Sequence, residues 1–163
     1  MTADDGSGER LEIAGYASVF DIEDYSGDII RRGAFADSLA TRGAGGIRML
    51  FQHDAEEPVG VWDEIYEDER GLFVRGHLTG TTARSAATAA LIREGAVDGL
   101  SIGFRAVSET VRLSGGGRIL TEVDLWEISI VTFPMAEGAR LDIVPPAVPV
   151  PETVEAFLDT VLA

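Results

Sequence analysis

The 163-residue chain contains no cysteine and no lysine, and only two histidines. Without cysteine there is no disulfide, no zinc–thiolate centre and no cysteine nucleophile. Without lysine all 13 basic residues are arginines, set against 28 acids for a net charge of -15. Phosphate backbones are gripped by clustered basic side chains, so this balance argues against a nucleic-acid partner. Two histidines leave a metal little but carboxylates, and neither a metal nor another cofactor is expected. No apolar run approaches the roughly 20 residues of a membrane helix, so no membrane partner is expected. The start, MTADDGSGER, is too acidic and polar for a signal peptide. No Walker loop or dinucleotide fingerprint is present.

What is present suits one domain. Hydrophobic residues make up 45% of the chain, enough for a core. Residues 1–9 read as a flexible leader and 10–143 as the folded domain. Residues 144–163 read as a proline linker, VPPAVPVPE, followed by a short amphipathic helix, PETVEAFLDTVLA. Alternating apolar positions predict strands over 10–20, 46–54, both arms of a hairpin over 58–78, 99–111 and 119–134, the last stopped by Pro134. Residues 21–33 read as a long polar loop. Short helices are expected over 33–43, ended by Gly43, and over 81–95, with a threonine N-cap and Gly95 as the stop. Strands so close in sequence predict a mainly β or α+β fold, an antiparallel barrel with flanking helices.

The chemistry centres on GAVDGLSIGFR, residues 95–105. A serine inside a strand, with Gly99 and Gly103 two residues away on either side, marks a place of close approach. Both glycines are candidates for leaving room beside Ser101 for a substrate backbone or for a base. A serine needs such a base, and histidine has the suitable pKa. His53, at a strand end before a loop, is better placed than His77, which sits mid-strand beside Arg75 on a solvated face. Either ring also reads as an ordinary surface or core histidine. Glu127, set among apolar residues in VDLWEISIVTF, needs a partner if buried. That partner is His53 in a catalytic reading or an arginine such as Arg105 in a structural one. Ser129 is a rival nucleophile without flanking glycines.

Four blocks, in order, carry a resemblance: GYASVFDIEDYSGDIIRRGAFADSL, MLFQHDAEEPVGVWDEIYEDERGLFVRGHL, VDGLSIGFRA and DLWEISIVTFP. Over about residues 10–142 the chain resembles the prohead serine proteases of tailed bacteriophages, which also occur in phage-derived gene transfer agents. The resemblance implies a herpesvirus assemblin-like fold and a serine endopeptidase. It would process the major capsid protein and scaffold segments, and itself, inside the prohead in the bacterial cytoplasm, with a homodimer or other self-association. It places the nucleophile on Ser101 and the base on His53. Assemblins use a second histidine after the serine, but here that region offers Glu127, which becomes the expected third member. Oxyanion donors are expected after it, at Met135 and Ala136. Relatives are often longer at the C-terminus, so either the helix over 151–163 is a reduced targeting element or the chain is an autoprocessed form. The alternatives are a catalytically silent assembly adaptor on the same fold and a generic esterase. The second is disfavoured because DGLSIG is not the G-x-S-x-G elbow.

Overall fold

The computed structural model describes residues 9–147. The expected leader, apart from Glu9, and the expected C-terminal helix lie outside the described residues. In chain order the elements are β1 (Leu11–Val19), β2 (Ile29–Ile30), α1 (Ala36–Gly46), β3 (Arg48–Phe51), β4 (Asp54–Glu67), β5 (Gly71–Leu78), α2 (Ala83–Arg93), β6 (Gly99–Val111), β7 (Arg118–Val131) and β8 (Leu141–Ile143). Strands dominate and two helices flank them, as the alternation implies.

The strands form one eight-stranded sheet in the order β2-β7-β3-β4-β5-β1-β8, with β6 on the other edge of β7. The expected all-antiparallel arrangement is corrected. Strand β7 runs antiparallel to β6 but parallel to both β2 and β3. Hairpin links do produce the β3–β4, β4–β5 and β6–β7 pairs. The neighbours on the second edge of β7, however, come from far back in the chain, where nothing local sets their direction. The ladders join β2 and β8 only through the strands between them, so the sheet is mixed and open along its ladders. An isolated bridge from Gly99 to Arg140 stitches the start of β6 to the segment before β8.

The core gathers buried side chains from the strands, from α2 and from the connecting segments. Trp62, Phe35, Met49, Leu72, Leu100 and Ile130 are each 1% exposed or less. Burying each such side chain contributes roughly 1.5–3 kcal/mol. The Trp62 indole N–H is satisfied by the Ile128 carbonyl at 3.3 Å. Helix α2 begins as expected: the Thr82 side chain accepts from the Ser85 N–H at 3.1 Å. It ends before Gly95, whose φ of 74° lies in the left-handed region. In α1 the expected stop at Gly43 (φ 64°, ψ 172°) is instead a kink, after which helical turns resume to Gly46. The polar loop over 21–33 contains the short strand β2, whose apolar pair Ile29–Ile30 lies beside Ile119 and Leu120.

Candidate active site

Strand β7 is the spine of the site, and its two edges deliver the other residues. On one edge Ser101 lies opposite Ser129 and Gly103 opposite Glu127. Directly opposed residues on antiparallel strands project to the same face, so these four share a surface. A bulge makes this possible. Gly103 pairs with Glu127 and Phe104 with Leu125, leaving Trp126 as an extra residue on β7. Bulges of this kind re-aim the side chains next to them.

On the other edge β3 ends at Phe51, and β4 begins at Asp54. The expected strand over 46–54, with His53 sharing a face with Ile47, Met49 and Phe51, is therefore corrected. His53 lies in a two-residue hairpin turn, and the segment read as a loop after it is the start of β4. Gln52 and His53 both adopt left-handed backbone, φ 54° and 60°. This is the geometry of a type I′ turn, which usually recruits asparagine and glycine.

The turn swings the His53 ring over Glu127, and Nδ1 bonds Glu127 Oε1. Glu127 is 4% exposed. Its second oxygen accepts from the Ser129 hydroxyl at 2.7 Å, and that hydroxyl accepts the His53 backbone N–H at 3.1 Å. The buried carboxylate thus has a partner on each oxygen, which is what burial demands. Its proximity and bond raise the His53 pKa above the ordinary imidazole value, against the opposing effect of partial burial. Arg105, the structural partner considered for Glu127, instead faces Asp124 at 3.8 Å.

With Nδ1 turned to Glu127, the other ring nitrogen, Nε2, is the one left for base chemistry. His53 and Ser101 line the same cleft, of about 230 Å³. Ser101 is 8% exposed, and among the described residues its hydroxyl makes no hydrogen bond. Ser129 is fully buried, and both roles of its hydroxyl are taken. The rival nucleophile is thus a bridge between His53 and Glu127. Sequence reasoning missed that role, and its one signal was the two-residue spacing from Glu127.

The glycines do something other than expected. A Cβ on Gly103 would lie 2.2 Å from Glu127 Oε1, so the room it leaves is filled by the carboxylate and not by substrate or His53. A Cβ on Gly99 would meet the Val131 carbonyl at 2.6 Å and the Pro134 ring at 2.9 Å, so its room is filled by the end of β7 and the turn after it. Met135 and Ala136 do line the cleft with Ser101. Among the described residues neither of their backbone N–H groups has a hydrogen-bond partner.

The far wall of the cleft is the loop over 21–28. Asp28, 6% exposed, receives the Arg118 guanidinium at 2.7 and 3.2 Å and the Arg118 N–H at 3.0 Å. Arg118 holds the Asp28 carboxyl below its ordinary pKa. Asp24 accepts from Ser26 and Asp28 backbone N–H groups at 2.9 and 3.0 Å. His77 is away from the cleft, its Nδ1 2.8 Å from Asp63. Asp63, His77 and Glu12 come within 4.8 Å of one another, a grouping the sequence did not suggest. There Arg10 bonds Glu12 at 2.6 Å.

A model of the caudovirus prohead serine protease family matches residues 1–149. The chain belongs to that family. The prohead protease of Enterobacteria phage HK97 is 42% identical over 138 residues, 83% of this chain and 61% of that protein. The prohead protease of Escherichia phage T5 is 26% identical over 134 residues, 82% of this chain and 62% of that protein. This prohead-protease chain thus spans about three-fifths of the length of those relatives. Among solved structures, the bacteriophage T4 capsid assembly protease superposes with a TM-score of 0.60 at 19% identity, covering 76% of this chain and 82% of that one. The KSHV protease, solved with a hexapeptide phosphonate inhibitor, gives 0.57 at 14% identity, covering 85% and 66%. At these identities the likeness is one of fold, and it is the herpesvirus-protease fold that the four blocks imply.

Proposed function

We propose that this chain is a serine endopeptidase of head maturation in a tailed phage or a gene transfer agent. Ser101 is its nucleophile, His53 its base and Glu127 the acid that orients the base. The observation that carries the reading is the alignment on β7: Glu127 bonded to His53 Nδ1, with His53 and Ser101 on one cleft. Nε2 takes the Ser101 proton as the hydroxyl oxygen attacks a peptide carbonyl. Glu127 stabilises the imidazolium that forms. As the tetrahedral intermediate collapses, the imidazolium gives its proton to the leaving amine. Water, activated by the same ring, then releases the acyl group from Ser101. The N–H groups of Met135 and Ala136 are the candidate donors to the oxyanion.

The substrates proposed are the major capsid protein, its scaffold segment and the enzyme itself. The place of action is the prohead within the bacterial cytoplasm, with a homodimer as the assembly. Residues 10–143 form the protease domain. The Gly99–Arg140 bridge supports reading the curled sheet as a barrel. Family membership and the complete serine–histidine–acid set favour the enzyme over a silent adaptor. Co-expression with the cognate capsid protein tests this. Mass spectrometry should find capsid subunits shortened by the wild type and intact with Ser101→Ala or His53→Ala. Shortening by the serine variant excludes the assignment, and intact subunits with every form return the chain to the adaptor role.

A further inference from the structure

The base stands on a backbone that resists it. Left-handed φ at a non-glycine residue costs roughly 1–2 kcal/mol, and the chain places two such residues in succession, Gln52 and His53. Glycine is used freely elsewhere in this sequence, 19 times, yet not in this turn. Residue 53 must carry the ring. Residue 52 carries an amide, and both ends of that amide are engaged. Gln52 Nε2 donates to Thr132 Oγ1 at 2.5 Å, and Gln52 Oε1 accepts the Thr132 N–H at 3.2 Å. The Gln52 backbone N–H also reaches the Ile130 carbonyl at 2.9 Å. Thr132 directly follows β7, five residues beyond Glu127. Strand β7 and the residue just after it thus supply the carboxylate that meets the ring and the hydroxyl that holds the turn.

We propose that Gln52 and Thr132 are positioning residues: their two-point side-chain clamp holds the left-handed turn so that His53 Nδ1 meets Glu127 and Nε2 faces the Ser101 cleft. Both side chains are exposed. They contribute little to the core, and neither lines the cleft with Ser101. The role rests on the proposed protease reading. Around the ring the charged groups are Glu127 from β7, Arg42 from α1 and Arg48 from β3 on one side. Asp24, Asp28 and Arg118 line the cleft on the other.

The test uses Gln52→Ala and Thr132→Val, with Thr132→Ser as the conservative partner. Alanine removes the amide and leaves the left-handed strain in place, whereas Gln52→Gly removes both and should lose less than Gln52→Ala. The full chain with each substitution is assayed for cleavage of capsid protein, and His53 is titrated by NMR. Gln52→Ala and Thr132→Val are each expected to lower kcat about tenfold or more with KM unchanged, and to bring the His53 pKa down toward the free imidazole value. The double variant should be no worse than either single one, because both remove one clamp. Thr132→Ser should retain wild-type kcat and titration. Wild-type kcat and titration in Gln52→Ala, whatever its thermal stability, would overturn the proposal. If Gln52→Ala misfolds, the Thr132→Val and Thr132→Ser pair carries the same comparison. Titrating His53 in a Ser101→Ala background reads the clamp without any cleavage, so the two readings fail separately: cleavage by Ser101→Ala removes the protease assignment, and an unmoved titration removes the clamp.

Discussion

Replacing Gly103 with alanine adds one methyl group at the most crowded point of the site. The new Cβ would lie 2.2 Å from Glu127 Oε1 and 2.6 Å from both Cγ and Cδ. Ordinary carbon contacts begin near 3.5 Å, so the carboxylate must retreat by about 1 Å. Its backbone is held in the β6–β7 ladder, so the side chain takes the displacement. Either the His53 bond or the 2.7 Å Ser129 bond then breaks, inside a site where Glu127 is 4% exposed. A charged hydrogen bond lost in burial costs about 1.5–3 kcal/mol, and the overpacking adds about 1–3 kcal/mol. Misorienting the base should cut kcat by about 10²- to 10⁴-fold. Urea denaturation measures the first effect and capsid cleavage the second. The companion variant Gly103→Ala/Glu127→Ala shortens the side chain that clashes. It should regain part of the stability and none of the rate. A Gly103→Ala enzyme with wild-type cleavage and an unshifted His53 titration would refute the assignment of Gly103 as the space for Glu127.

Five further outcomes are expected. The cleavage rate should fall as pH drops through the raised pKa of His53, and Glu127→Gln should move that limb down toward about 6.5 while reducing the rate, as a pH–rate profile will record. The His53–Glu127 contribution to stability runs the other way: complete below about 6.5, it fades as pH rises through the higher folded value, so the Glu127→Gln destabilisation measured in urea should shrink in alkali. Asp28→Asn should cost about 1–3 kcal/mol at pH 7, held down by an Arg118 side chain that is 38% exposed. Because the folded Asp28 pKa is depressed, that difference should persist above about 3.9 and vanish as acid protonates the native carboxylate. Thr82→Ala should remove the α2 cap for about 1 kcal/mol of stability by thermal melting, and His77→Ala should leave cleavage unchanged.

The serine strand, the hairpin after Pro58 and helix α2 were legible because each is encoded locally, by alternation, turn residues and caps. The scarcity of histidine narrowed the base to two positions, and strand-end placement favoured the one that meets Glu127. The register of the site was not legible. Counting back from the Val111–Arg118 pair without interruption would set Ser101 opposite Ile128. Three irregularities leave a net shift of one residue and set it opposite Ser129. A one-residue slip reverses every facing, so without those bulges Glu127 would not lie against Gly103. The glycines were read as room for substrate because their neighbours on β7 depend on that register. The parallel pairing of β3 with β7, which brings His53 to Glu127, joins segments some eighty residues apart and leaves no local mark. The left-handed turn at Gln52–His53 was hidden for a different reason. Neither residue favours it, and the hydrogen bonds that enforce it come from Ser129, Ile130 and Thr132.

The proposed nucleophile can be tested without knowing the cleavage sequence. Incubation with a fluorophosphonate, which bonds covalently to a serine oxygen activated by a neighbouring base, is followed by peptide mapping in a mass spectrometer. One adduct on Ser101 is predicted, lost in His53→Ala and strongly slowed in Glu127→Gln. An adduct on Ser129, or an unlabelled Ser101 in a preparation that cleaves capsid protein, would contradict it.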